Sequence, residues 1–184
     1  MSKLNWKKAL PWAFYDWANS AYAMTMLAGL FPVFFSDFWT PKGTPAQDST
    51  FRLGVANSTA GIIVACLAPV LGAIADRGGA RKRFLLFFAT LGIAMTASLY
   101  FVAHGNWLGA LMTYVAATVG FSGANIFYDS LLVTVADEKE FDFVSTLGYG
   151  LGYLGGRALC ICAHWDLVGG LLVTVVPVGQ GSEA

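Results

Sequence analysis

The chain has 184 residues, of which 57% are hydrophobic and 12% charged, with eleven Lys and Arg against eleven Asp and Glu. Soluble domains carry about 25% charged residues, so a chain this poor in charge, with a mean hydropathy of +0.61, cannot cover a water-facing surface. Zero net charge and the lack of a basic tail also exclude nucleic acid as a natural partner.

The apolar residues fall in long uninterrupted runs. Such runs predict membrane-spanning helices, because barrel strands would alternate in polarity. The expected class is all-α and integral membrane, with five to six spans and the lipid bilayer as its solvent. Lys3, Lys7 and Lys8 precede a first run over 10–35. That run is too long for a signal-peptide core and holds Asp16, Asn19 and several bulky aromatics, so it reads as a retained span. A polar connection over 36–50 follows. The second span, 53–75, is rich in small residues. A charged turn leads to the third span, 84–103, and His104-Gly105-Asn106 makes a tight turn into the fourth, 107–135. Asp137-Glu-Lys-Glu-Phe-Asp142 is a solvated linker. The fifth span, 143–162, is loaded with glycine. A last apolar run over 167–179 falls short of the ~20 residues needed to cross the hydrocarbon.

Cations in short loops set orientation. With the N-terminus inside, the inner segments hold Lys3, Lys7, Lys8, Arg77, Arg81, Lys82, Arg83 and Lys139. The outer ones hold Lys42 and Arg52, with Arg157 at the outer end of span five. The N-terminus and charged turn are therefore expected in the cytoplasm. Trp6, Trp12, Trp17, Trp39 and Trp107 fall near the expected interfaces, as aromatic belts do.

Phe14-Tyr15-Asp16 in span one recurs as Phe127-Tyr128-Asp129 in span four, each with a nearby asparagine (Asn19, Asn125) and a following serine (Ser20, Ser130). Spans one to three and four to six would then be units of an inverted repeat. Both carboxylates would lie in the cytoplasmic half.

Residues Gly72, Asp76, Arg77, Gly79, Arg81 and Lys82 form G-x-x-x-D-R-x-G-x-R-K between two spans. This pattern resembles the loop 2–3 signature of the major facilitator superfamily. A merely cationic loop would explain the cations but not Asp76 with two spaced glycines. Gly72 is expected to allow close helix packing and Gly79 a positive-φ turn. Asp76 could accept charge-assisted hydrogen bonds at the membrane edge. Phe14-Tyr15-Asp16-Trp17-Ala18-Asn19-Ser20-Ala21-Tyr22, Asn125-Ile126-Phe127-Tyr128-Asp129-Ser130 and the span-five glycines extend the resemblance over 10–156. They resemble the branch that includes fungal vacuolar effluxers and many bacterial permeases. The resemblance implies an α-helical transporter of about twelve spans when complete. Its fungal members are associated with amino-acid export, which makes amino acids a candidate solute class.

Ionisable groups inside spans are costly and point to function. Tyr15, Asn19 and Tyr22 share one helical face at i, i+4 and i+7. Asn125 and Asp129 stand at i and i+4, with Tyr128 beside them. With Asp16 they could line a pathway for a polar solute or a proton, or lock helix packing by hydrogen bonds. Gly150-Leu-Gly152-Tyr-Leu-Gly155 is formally G-x-G-x-x-G, but no strand precedes it, so no dinucleotide site is expected. Gly148, Gly152 and Gly156 instead form a small-residue ridge for helix packing. They loosely resemble the fifth-span motif of facilitator antiporters, with Tyr153 where that motif has proline. Cys66 lies in an apolar run, and Cys160 with Cys162 has neither redox nor zinc spacing. No cofactor or metal is expected.

An enzymatic alternative rests on Ser122, within Gly120-Phe-Ser122-Gly123, and on His164, whose placement resembles that of rhomboid intramembrane proteases. Serine with a histidine base suffices for acyl transfer. Another alternative is a non-transporting membrane fragment or scaffold. The expected domains are 1–156, an N-terminal transporter half, and 157–184, an atypical tail suggesting a truncated or frame-disrupted product. Such a half would need its missing C-terminal half or self-association.

Overall fold

In the computed structural model, residues 5–76, 79–136, 140–155 and 157 are described. They form helices α1 (Trp6–Trp39), α2 (Ala46–Asp76), α3 (Arg81–Phe101), α4 (Trp107–Val135) and α5 (141–155), with no strand among the described residues. Helices α1 to α4 are each long and apolar enough to cross a membrane. Even α3, with 21 residues, spans about 32 Å at 1.5 Å per residue, against a hydrocarbon core of about 30 Å. Large apolar side chains stay exposed along these helices, among them Ile62, Leu86, Ile93 and Met112. Apolar exposure on this scale suits lipid, not water. The protein is an integral membrane protein.

The connection expected over 36–50 is much shorter in the structure. Helix α1 runs on to Trp39 and α2 begins at Ala46. The polar residues there do not break the helices, because their side chains bond back to helix carbonyls or neighbours. Ser36 donates to Val33 O at 2.9 Å, and Thr50 donates to Ala46 O at 3.0 Å. Deeper in the spans, Thr59, Thr90, Thr96 and Thr118 each donate to a carbonyl one turn back. That satisfies their hydroxyls where lipid could not.

Helix α1 is wound more widely over Ala23–Leu30 and Phe35–Trp39. Pro32 lies between these stretches and has no N–H to give. The ladder shifts around it, as when Phe31 N–H bonds Met26 O, a usual consequence of proline in a helix.

The turn at 104–106 forms as expected. Gly105 has φ +79°, and Asn106 caps α4 by accepting from Gly109 N–H at 3.0 Å. Gly105 N–H also reaches Phe38 O at 3.2 Å, tying this turn to the end of α1.

Three buried clusters hold the helices together. One, at the end away from the α2–α3 loop, joins Phe31, Phe35 and Trp39 of α1 to Ala56, Leu99, Ala110, Leu111 and Tyr114. Tyr114 stacks on Phe31 at 3.9 Å and donates to Asn57 Oδ1 at 2.8 Å. A second, towards the loop, joins Leu71, Ala75, Phe88, Ala124 and Phe127. A third joins Ala9, Ala136 and Val144, seating α5 against α1 and the end of α4. Trp39 is thus a core residue, not a belt residue, with its indole N–H on Val102 O at 3.3 Å.

The tightest crossing lies between α3 and α4. A Cβ on Gly120 would stand 2.6 Å from the Gly92 nitrogen, and one on Gly123 would strike the Phe88 ring. Backbones this close need glycine on both sides. Gly72 makes no such approach, since a Cβ there would meet nothing within 4 Å. The packing role expected of Gly72 therefore falls to Gly92 and Gly120.

Candidate functional site

The two tyrosine–aspartate pairs meet where α1 and α4 lie side by side. Tyr128 is buried between two α1 rings. It stacks on Trp12 at 4.6 Å and on Tyr15 at 4.8 Å. Its hydroxyl donates to Trp12 O at 3.3 Å, and the Trp12 indole donates to Tyr128 O at 3.3 Å. This reciprocal pair fixes the register of α1 against α4. Trp12 is therefore part of the site, not the belt residue its position suggested.

Around this stack, Asp16 and Asp129 lie within electrostatic reach of each other and of Tyr128. Asp16 is half-buried and Asp129 exposed. Among the described residues neither carboxylate has a hydrogen-bond or ion-pair partner. The repeated triplets do not match throughout, because Phe14 is 53% exposed while Phe127 is fully buried.

Neighbouring faces of α1 point to different partners. Tyr15, Asn19 and Tyr22 line a cleft of about 160 Å³ with Gly92, Ile93 and Phe121. Tyr22 shares a 2.7 Å hydrogen bond with Thr96 and lies against Phe121 at 5.3 Å. Asp16 and Ser20 instead face α5. A Cβ on Gly148 would come within 2.8 Å of the Trp12 ring, and one on Gly152 within 2.6 Å of Ser20 Oγ. Both would lie 3.3 Å from Asp16 Oδ2. A second cleft of about 220 Å³ opens here, lined by Ser20, Met24, Tyr149 and Tyr153 among others. Asn125 has its side-chain oxygen buried without a hydrogen-bond partner.

Gly156 lies outside the described residues. Among the described residues a further close approach of α5 to α1 falls on Gly155, whose added Cβ would overlap the Trp17 indole.

The α2–α3 loop is clasped from within this bundle. Arg81 opens α3 and donates Nε–H to Ala75 O at the end of α2. Its Nη1 donates to Ser130 O at 3.2 Å and Thr134 Oγ1 at 3.1 Å, both on α4. One guanidinium so ties three helices. Asp76, Lys82 and Arg83 are exposed, and Asp76 has no hydrogen-bond or ion-pair partner among the described residues. Arg77 lies outside them. Gly79 does not take the positive φ expected of it; among the described residues such glycines are Gly43 and Gly105. The chain enters α3 instead through Ala80, at φ −119° and ψ 1°.

The family described as vacuole effluxer Atg22 like matches residues 53–142. An uncharacterized MFS-type transporter of Bacillus subtilis, YxiO, is 43% identical over 155 residues, or 84% of this chain and 36% of the relative. Over most of its length the chain is thus similar to a transporter of the major facilitator type. An uncharacterized protein of Aquifex aeolicus is 26% identical over 84% of the chain and 37% of its own length. The chain thus spans little more than a third of the length of these relatives. No solved structure gives a significant match.

The family's description and the name of the Bacillus relative favour transport over the protease alternative. Gly120 and Gly123, which flank Ser122, are spent on the contact with α3. His164, like Cys160, Cys162 and the run 167–179, lies outside the described residues. Sequence reading missed Trp12, Gly92, Thr96 and Phe121 as site residues. Trp12 lies one turn before Asp16, which was the available signal. Gly92 and Thr96 sit on α3, and nothing in their own span marks them.

Proposed function

We propose that this chain forms one wall of the pathway of an alternating-access transporter for a small polar solute. The observation that supports it is the Asp16–Asp129 pair. Two carboxylates sit inside spans, one on α1 and one on α4, without hydrogen-bond partners among the described residues. A purely structural lock would have used those oxygens for hydrogen bonds, because an unpaired intramembrane charge is costly. Carboxylates left open beside Tyr15, Tyr128 and Asn125 suit an ammonium group or a proton in transit. Tyr15, Asn19 and Tyr22 add a polar face on the adjoining cleft. Amino acids carry such an ammonium group, and the matching family is described as vacuole effluxer like.

In this reading the protein lies in a bacterial plasma membrane with its N-terminus and the Gly72–Arg83 loop in the cytoplasm. The cation bias of the loops supports that orientation. Gly72, Asp76, Arg77, Gly79, Arg81 and Lys82 form a gating loop, with Arg81 anchoring it to the bundle and Asp76 left free for a moving partner. Gly148 and Gly152 let α5 lie close enough to α1 to flank Asp16. The name of the Bacillus relative and the family's description point to transport, so no enzymatic step is invoked.

The test is flux in reconstituted vesicles, with the chain alone and co-expressed with the portion of the Bacillus relative that it does not cover. Saturable movement of at least one amino acid is expected from the co-expressed form. No flux from either form across a broad amino-acid panel would remove that solute class.

A further inference from the structure

A groove of about 530 Å³ runs between α2 and α4, on the far side of the bundle from the α2–α3 loop. Its walls are apolar, with Phe51, Val55 and Ile63 on one side and Leu108, Met112 and Val115 on the other. Arg52 and Trp107 stand at its head, the guanidinium carbon 4.3 Å from the ring centroid. The Arg52 Nη1 atom is buried and has no hydrogen-bond partner among the described residues. Asp48 precedes it by one turn and forms no ion pair with it. A buried guanidinium nitrogen without an acceptor is costly, so the site suits an anion that the described residues do not supply.

We propose that this groove holds one anionic phospholipid, with its phosphate on Arg52 and an acyl tail along the groove. Depth supports that occupant. From Phe51 to Ile63 the lining runs about 18 Å at 1.5 Å per residue, and one leaflet of a ~30 Å hydrocarbon core is about 15 Å deep. A tryptophan at the groove's head sits where such rings mark the headgroup level. A cation above an apolar trough one leaflet deep matches a phospholipid and not a free anion, which would leave the trough empty. This site is separate from the Asp16–Asp129 pair and stands whether or not the solute reading does.

The experiment is native mass spectrometry of the purified full chain in a nonionic detergent. It is titrated with phosphatidylglycerol, with diacylglycerol of the same tails, and with glycerol phosphate. Phosphatidylglycerol should be retained about tenfold more tightly than diacylglycerol, the size of one charged hydrogen-bonded contact, and glycerol phosphate not at all. Arg52→Gln should remove that preference, while Lys42→Ala, a cation on the same side, should keep it. Val55→Trp should fill the groove and release the lipid even where Arg52→Gln fails to fold. The proposal is overturned if Arg52→Gln or Val55→Trp retains phosphatidylglycerol unchanged, if diacylglycerol or glycerol phosphate binds equally well, or if the chain dimerises through this face without lipid.

Discussion

Tyr128 carries more of the α1–α4 contact than any polar residue around it. Its ring lies between Trp12 and Tyr15, and its hydroxyl meets the Trp12 carbonyl at 3.3 Å. Removing only the hydroxyl, by Tyr128→Phe, should cost about 0.6 kcal/mol, the average for side-chain hydrogen bonds inside membranes. A thermal melt in detergent would read this as a small drop. A drop as large as that of Tyr128→Ala would mean that the hydroxyl, not the stack, dominates. Arg81 is the second test at this scale. Arg81→Lys keeps the charge but cannot offer a planar fork to Ala75 O, Ser130 O and Thr134 Oγ1 together. It should lose about 1.5 kcal/mol or more, the low end for hydrogen bonds to charged groups. An unchanged melting temperature would show that the clasp is not formed.

The helices divide their glycines between contact and open surface, and the difference is measurable. Gly120→Ala would force a Cβ to 2.6 Å from the Gly92 backbone, while Gly72→Ala meets nothing within 4 Å. Overpacking of this kind costs about 1–3 kcal/mol, so Gly120→Ala should melt clearly lower and Gly72→Ala should not. Equal stability of the two would contradict the α3–α4 crossing. The same contrast shows what was legible from the residues alone. The first four spans, the 104–106 turn and the Gly148–Gly152 face of α5 follow from hydropathy, turn chemistry and helical period, which are local, while the fifth and sixth spans expected are not among the four span-length helices of the described residues. Gly72 and Gly120 look alike in sequence, because which backbone approaches a glycine is decided by a different helix. The α1–α2 connection was overestimated for a related reason. Ser36 and Thr50 read as loop by polarity, yet their hydroxyls bond back along the helix and let them stay helical at the membrane edge.

Across the whole molecule, a loop at one end of the bundle is joined to the carboxylates carried by α1 and α4. Arg81 links them physically, since it reaches Ser130, the neighbour of Asp129. Asp76, exposed and without a partner among the described residues, is free to engage whatever moves past this end of the bundle. Asp76→Asn should therefore impair flux more than Arg83→Ala, and equal flux would reduce the loop to an orientation signal. The carboxylates themselves were legible as charges inside spans. The docking of α1 on α4 beside them was not, because it depends on Trp12 and Tyr15 enclosing Tyr128. The central claim is that Asp16 and Asp129 serve the solute and do not merely pack helices. It is tested most directly by vesicle flux of Asp16→Asn and Asp129→Asn in the co-expressed form, normalised to folded protein. The account predicts at least a tenfold loss of flux with melting temperatures close to the parent. Flux that falls only as far as the amount of folded protein falls would contradict it.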